Sequence, residues 1–181
     1  NTANGTNALY SNTIGNNNTA IGDSSLYSNT TASYNTAIGI NALYSNITGN
    51  FNTATGSDAL NLNTTGSNNT ATGNNVLTNN TTGNKNTAIG SSTLLNNHTG
   101  NGNICIGSGA DVSNENSNNR IVIGTDITND TDNSVLIRGE TINCKSSSDS
   151  TTNDAKINCG TLNLSTIPTS ETGAGLNKGD I

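Results

Sequence analysis

The chain has 181 residues and a formal net charge of −6, and 38 Asn, 30 Thr and 20 Ser make up almost half of it, with 20 Gly besides. Hydrophobic residues are 29%, too few for a compact fold around one central core, and charged residues are only 10%, unlike most disordered chains of low hydrophobicity. What survives is either a polar low-complexity tract or a repeat protein that hides its few apolar groups in columns.

Repetition decides between the two. Asn1, Asn18, Asn35, Asn52, Asn69, Asn86 and Asn103 mark a 17-residue period without insertions, and a diverged eighth copy starts at Arg120. The consensus is N-T-A-I-G-x-x-A-L-x-x-N-T-T-G-x-N, with repeat positions counted from that first Asn. Gly holds position 5 in all eight copies, and Leu9, Leu26, Leu43, Leu60, Leu77 and Leu94 hold position 9. Position 12 is held by Asn12, Asn29, Asn46, Asn63, Asn80 and Asn97, and again by Asn114.

Seventeen residues are too few for two helices and a turn, and Asn, Thr and Gly are poor helix formers. Each unit instead predicts a short extended piece (Thr36-Ala37-Ile38), a Gly turn, a second extended piece (Ala42-Leu43-Tyr44) and a wider Asn-Thr-Gly turn. Asn and Gly accept positive φ, so both turns have a physical basis. The expected fold is all-β: a parallel β-solenoid, or β-roll, over residues 1–139. Its coils would stack at strand spacing, ~4.7–4.8 Å, where one inserted residue would throw every column out of line. Asn above Asn then forms amide ladders, and Thr above Thr packs well on a β surface. Alternation sends Ala37 inward, with Ala3, Ala20, Ala54, Ala71 and Ala88 filling a narrow lumen, and leaves the Ile and Leu columns to be buried elsewhere. So little apolar burial per coil is set against the entropy of ordering the whole unit that association with further copies, as a homotrimer, is expected.

Repeats such as Tyr34-Asn35-Thr36-Ala37-Ile38-Gly39-Ile40-Asn41-Ala42-Leu43-Tyr44-Ser45-Asn46-Ile47-Thr48-Gly49 resemble those in surface fibres of bacteriophages, large DNA viruses and bacterial adhesins. They are also similar to the head repeats of trimeric autotransporter adhesins, as a longer-period relative. The resemblance implies parallel β-rolls from three chains packed side by side.

Beyond the repeats, Asn133 to Gly139 is similar to a closing coil. Residues 140–166 read as a short β-rich segment (Thr141-Ile142-Asn143-Cys144, Lys156-Ile157-Asn158-Cys159, Thr161-Leu162-Asn163-Leu164) around a polar loop. Residues 167–181 resemble the connectors of fibre proteins, which lead to further domains. The chain opens inside the pattern, so both ends read as cut. Ten of its twelve acids lie beyond residue 102, in keeping with a boundary there.

The functional candidates are few. Tyr10, Tyr27 and Tyr44 share one repeat position, with Tyr34 and Phe51 at another: either a sugar-binding aromatic stripe or rings stacked at a coil edge or subunit seam. Asp126, Asp130 and Asp132 offer oxygens for calcium but lack EF-hand spacing, and a solvated acidic turn is the simpler reading; no metal or other cofactor is expected. His98 is the only histidine and stands at a turn position. Cys105, Cys144 and Cys159 read as small buried thiols. N-x-[ST] sequons, such as those at Asn29 and Asn46, abound in so Asn- and Thr-rich a chain. Six scattered basic residues make no footprint for nucleic acid, and no apolar stretch suits membrane insertion. The expectation is a non-enzymatic structural or adhesive fibre on a virion or cell-surface appendage, whose partners are copies of itself and a host receptor or glycan. The alternatives are an ice-binding solenoid, against which the repeat is read as having no Thr-x-Thr on a flat strand, since Thr36 is followed by Ala and Ile, and a glycan-depolymerising β-helix, which needs an acidic cluster in a cleft.

Overall fold

The computed structural model describes residues 1–138. They form a parallel β-solenoid of about eight coils, with no helix among the described residues. The strands are β1 (Thr2–Asn4), β2 (Thr19–Ile21), β3 (Thr36–Ile38), β4 (Thr53–Thr55), β5 (Thr70–Thr72), β6 (Thr87–Ile89), β7 (Ile104–Ile106), β8 (Asp111–Val112), β9 (Ile121–Ile123), β10 (Thr128–Asn129) and β11 (Val135–Ile137). Nine of them make one parallel sheet in chain order, and β8 pairs with β10 in a second, two-stranded sheet. Register is set by the period: Thr36 faces Thr19 and Thr53, and Ala37 faces Ala20 and Ala54. Nine strands at ~4.8 Å spacing span about 38 Å.

In β2 to β7 and in β9 the middle residue points inward, so Ala20, Ala37, Ala54, Ala71, Ala88, Cys105 and Val122 form one fully buried column, whereas Ala3, expected in the lumen, is exposed in the first coil. Small side chains are needed there because the opposite wall is close. At position 5, Gly39 has φ +133, and a Cβ on it would lie 2.5 Å from the Gly56 carbonyl oxygen in the next coil. Only glycine combines that backbone with that approach.

The stretch after this corner departs from expectation. Ala42-Leu43-Tyr44 is not a strand; Asn41 (φ 54) and Leu43 (φ 53) are both left-handed, and the chain makes successive tight turns. Half of its amides stay within the coil, with Tyr44 N–H on the Asn41 carbonyl (3.2 Å) and Asn46 N–H on the Leu43 carbonyl (3.1 Å). The alternate amides run along the axis, from Leu43 to the Ala59 carbonyl (3.0 Å) and from Ser45 to the Asn61 carbonyl (2.9 Å). The ladder thus continues through turns.

The same geometry corrects the expected placement of Leu. Leu26, Leu43, Leu60, Leu77 and Leu94 are fully buried inside their own coils rather than against a neighbour. A leucine held left-handed costs ~1–2 kcal/mol, and burial of its side chain is worth about 1.5–3 kcal/mol, so position 9 keeps Leu in spite of the backbone.

Two asparagine columns complete the interior. Nδ2 of Asn46 donates to the Gly49 carbonyl of its own coil (2.9 Å) and to Oδ1 of Asn29 in the coil before (3.2 Å). Asn35, at position 1, donates from Nδ2 to the same Gly49 carbonyl (2.9 Å), while its Oδ1 accepts the Asn52 N–H (2.9 Å). Each coil is therefore closed on itself at position 15 and tied to the next by the same amides. A Cβ on Gly49 would sit 2.6 Å from Asn46 Oδ1 and 2.2 Å from the Gly66 carbonyl oxygen.

The columns end before the coils do. Asn114 is exposed and outside the ladder it was expected to extend, and Asn97 Oδ1 instead accepts from Asn103 Nδ2 (3.1 Å). Position 9 passes from Leu to Asp111, and the turn stretch becomes the true strand pair of β8 and β10. The last complete coil is shorter than the others, since Val135 of β11 faces Ile121 of β9. Buried Arg120 fills the interior there: its Nη1 donates to Ser113 Oγ (2.9 Å) and to the Asn129 carbonyl, and its Nε donates to Asp132 Oδ1 (2.7 Å). Among the described residues, no buried side-chain nitrogen or oxygen lacks a partner. The expected segments at 140–166 and 167–181, with Gly139, Cys144 and Cys159, lie outside the described residues.

Candidate functional site

In-register stacking turns each shared position into a column along the solenoid surface, so functional candidates are read column by column. Tyr10, Tyr27 and Tyr44 stack face to face at position 10, with ring centroids 5.2 and 5.0 Å apart and interplanar angles of 4° and 6°. Tyr34 and Phe51 do the same at position 17, 4.9 Å apart at 7°. Rings stacked this way cover each other's faces, leaving edges in solvent and a free face only at the end of each column. Tyr34 and Phe51 also hold φ of 61 and 58, where Asn17, Asn68 and Asn119 stand in other coils. A bulky ring is costly in that conformation.

The tyrosine column stops at Tyr44, because position 10 of the next coil is Asn61. Asn61 donates from Nδ2 to Asp58 Oδ1 (3.1 Å) and to the Asn41 carbonyl in the coil before (3.4 Å). Asn41 Nδ2 donates to the same oxygen (3.1 Å), and Ser57 Oγ to Asp58 Oδ2 (2.9 Å). Ser24, Asn41, Tyr44 and Asn61 line an open pocket of about 380 Å³ at this step.

A second surface is the outward face of the nine-stranded sheet. Positions 2 and 4 point out and carry Thr and Ile, with Ile21, Ile38, Ile89 and Ile106 each about 40% exposed (39%, 38%, 42% and 38%). From β7 onward the Thr residues disappear, leaving Ile104, Ile106, Ile121, Ile123, Val135 and Ile137 on three neighbouring strands. β4 and β5 carry Thr53-Ala54-Thr55 and Thr70-Ala71-Thr72, so Thr-x-Thr does occur on the flat face, in two coils flanked by Ile.

The remaining candidates sit near the last coils. Asp132 pairs with Arg120, Asp130 Oδ1 accepts from Thr131 Oγ1 (2.9 Å), and Asp126 stands at a left-handed turn position (φ 49). Among the described residues no group of three or more His, Cys, Asp or Glu could hold a metal ion, so these three acids are not brought together. Hydrogen bonding from the Asn118 amide, with help from Arg120, holds the Asp132 carboxyl below the usual range. Asp111 is raised by burial, against the amides of Val112, Asn96 and Leu95. Burial, with the Asp111 charge nearby, pushes the Cys105 thiol up to about 12, a poor nucleophile at neutral pH. His98 Nδ1 lies 3.0 Å from the Asn96 carbonyl and 3.9 Å from Glu115. No helix among the described residues is long and apolar enough to cross a membrane.

Sequence reasoning singled out the rings but missed Ser24, Asn41, Asp58 and Asn61 around Tyr44. A signal was present: the two acids before residue 103 are Asp23 and Asp58, and each is hydrogen-bonded to residues that line this pocket, Asp23 to Ser24 Oγ (3.1 Å) and Asp58 to Asn41 and Asn61. No protein-family model, curated protein or solved structure matches the chain.

Proposed function

We propose that the chain is a non-enzymatic segment of a surface fibre on a virion or cell-surface appendage. Three copies stand parallel about one axis and hold a host-receptor-binding surface, with glycans among its ligands, away from the particle. The observation that carries this reading is the outward sheet face: a Thr- and Ile-rich surface on nine parallel strands, ending in six branched aliphatic side chains of which Ile106, Val135 and Ile137 are exposed and Ile104, Ile121 and Ile123 half-buried. Burying that face between copies supplies the apolar contact that a thin coil lacks. Copies that run parallel in one fibre are related by rotation about the stacking axis, and a cyclic trimer is such an arrangement. Amide and backbone ladders give stiffness, and three copies of a weak site on one axis give avidity.

Sedimentation equilibrium of the chain tests the assembly: a species of three times the 18.4 kDa chain mass is expected, and a folded monomer overturns it. Ice binding is the second reading with an observation behind it, the Thr-x-Thr pairs of β4 and β5. Only two adjacent coils carry the pair, so no thermal hysteresis is expected; clear hysteresis would favour that reading over the fibre.

A further inference from the structure

Most of this surface repeats, and the place where it stops repeating is informative. The tyrosine column ends at Tyr44 because Asn61 follows it, and Asn61 commits its amide nitrogen to Asp58. One face of Tyr44 is covered by Tyr27 at 5.0 Å, no ring follows it in the next coil, and Tyr44 lines an open pocket with Ser24, Asn41 and Asn61.

The polar groups at this step form a consistent set. Asp58 takes three donors, from Asn41, Asn61 and Ser57, which fix its carboxylate in place. A carboxylate has about four acceptor sites, so one remains for a ligand hydroxyl. Oδ1 of Asn41 and Oδ1 of Asn61 accept no hydrogen bond among the described residues, and they add two more acceptors beside the ring. Asp23 and Asp58 are the acids of the first 102 residues, whereas the basic residue of that stretch, Lys85, stands at position 17. The pocket is therefore acceptor-rich and negative.

We propose that this step is a carbohydrate subsite that takes one neutral hexopyranose ring. The apolar C–H face of the sugar lies on the open face of Tyr44, whose electron-rich ring attracts the C–H edge of positive potential. Its hydroxyl groups donate to Asp58, Asn41 and Asn61. Acidic sugars are excluded, since their carboxylates would be desolvated against Asp58 and Asp23 with no cation to receive them. The volume, about 380 Å³, lies at the small end of small-molecule sites and has room for one sugar ring. This inference rests on the receptor-binding part of the proposed function and names its ligand class.

The test uses the intact chain and saturation-transfer NMR with lactose, maltose, mannobiose and diacetylchitobiose, with 3′-sialyllactose as the acidic counterpart of lactose. At least one neutral disaccharide should receive saturation at the ring C–H protons of one face, and sialyllactose should bind more weakly than lactose. Tyr44→Ala should weaken the neutral ligand by at least about tenfold, and Tyr44→Phe, which keeps the ring face, should bind as the parent does. Asn61→Tyr extends the column over the open face, so it should melt higher than the parent and still lose the sugar. That variant keeps the proposal falsifiable if Tyr44→Ala does not fold. Absence of any neutral ligand, preference for sialyllactose, or unchanged binding by Asn61→Tyr would overturn it. A trimer that fails these tests refutes the subsite and leaves the fibre; a monomer that passes them refutes the trimer and leaves the subsite.

Discussion

Replacing Asn46 by Ala removes one rung of the inner amide ladder, and its cost can be worked from the contacts. Three hydrogen bonds disappear: Asn46 Nδ2 to the Gly49 carbonyl (2.9 Å), Asn46 Nδ2 to Asn29 Oδ1 (3.2 Å), and Asn63 Nδ2 to Asn46 Oδ1 (2.7 Å). The Gly49 carbonyl keeps its bond from Asn35, and Asn63 keeps its bond to Gly66. Asn29 Oδ1, fully buried, is left with no donor. Three net bonds at about 1 kcal/mol each, plus about 1–2 kcal/mol for the orphaned oxygen, give a loss of about 4–5 kcal/mol. In a chain of this length that is a fall in Tm of roughly 8–20 °C. Asn46→Asp should be worse at neutral pH, because a buried carboxylate would face the Gly49 carbonyl and Asn29 Oδ1 with no proton to give either. Thermal unfolding followed by far-UV circular dichroism measures both, with Asn116→Ala, on an exposed side chain, as the reference expected within about 0.5 kcal/mol of the parent. An Asn46→Ala protein as stable as Asn116→Ala would refute the ladder as a source of stability.

Gly39→Ala should destabilise by at least about 3 kcal/mol, as it combines a forbidden φ of +133 with a clash on the Gly56 backbone, whereas Gly102→Asn should be nearly neutral, since Asn holds the equivalent left-handed position at Asn17, Asn68 and Asn119; chemical denaturation separates the two. Ile38→Lys together with Ile106→Lys should leave circular dichroism unchanged and convert the trimer to monomer, while a trimer that survives them would move the interface off the sheet face. The pH dependence of Tm has two opposed contributions. Asp132, held below its ordinary 3.8, adds stability above that value that is lost as pH falls through the lower folded value, so Asp132→Asn should remove the acid decline. Asp111, raised above 3.8, favours the protonated folded chain and loses stability as pH rises through its raised value, so Asp111→Asn should remove that loss and steepen the decline on the acid side; unchanged profiles in both variants would contradict the signs.

The period, the glycine corner and the inward alanine column were legible because each depends on one residue type recurring at a fixed interval. Position 7 was legible in principle: Asn7, Ser24, Asn41, Asp58, Asn75, Ser92, Gly109 and Asp126 all come from the small set that accepts left-handed turns, and that set argues against a second strand there. Leucine at position 9 carried no such sign. Its own preference opposes φ of 53, and only the packing of the finished coil overrides it, so an alternating Ala-Leu-Tyr run reads as extended. The exit of Asn114 from the ladder was hidden for a related reason. Its identity matches the column, but Ser117 replaces glycine at position 15 and Asp111 replaces leucine at position 9, so the cavity the ladder needs has changed shape. The rings were found by repetition; the pocket at Tyr44 was not, because it exists where repetition fails. A single Asn in place of Tyr ends the ring column, and the carboxylate that holds this Asn comes from the same coil that broke the pattern.

The dependence of the fold on column register is tested most directly by two deletions compared in thermal unfolding. Removing residues 52–68 takes out one whole coil and joins Phe51 to Asn69 with every column still aligned, so a β-rich protein with one cooperative transition, a few degrees lower, is predicted. Removing residues 52–67 leaves one residue too many at the junction and misaligns the coils on either side, and loss of the cooperative transition is predicted. Equal melting of the two would contradict a fold held by its columns.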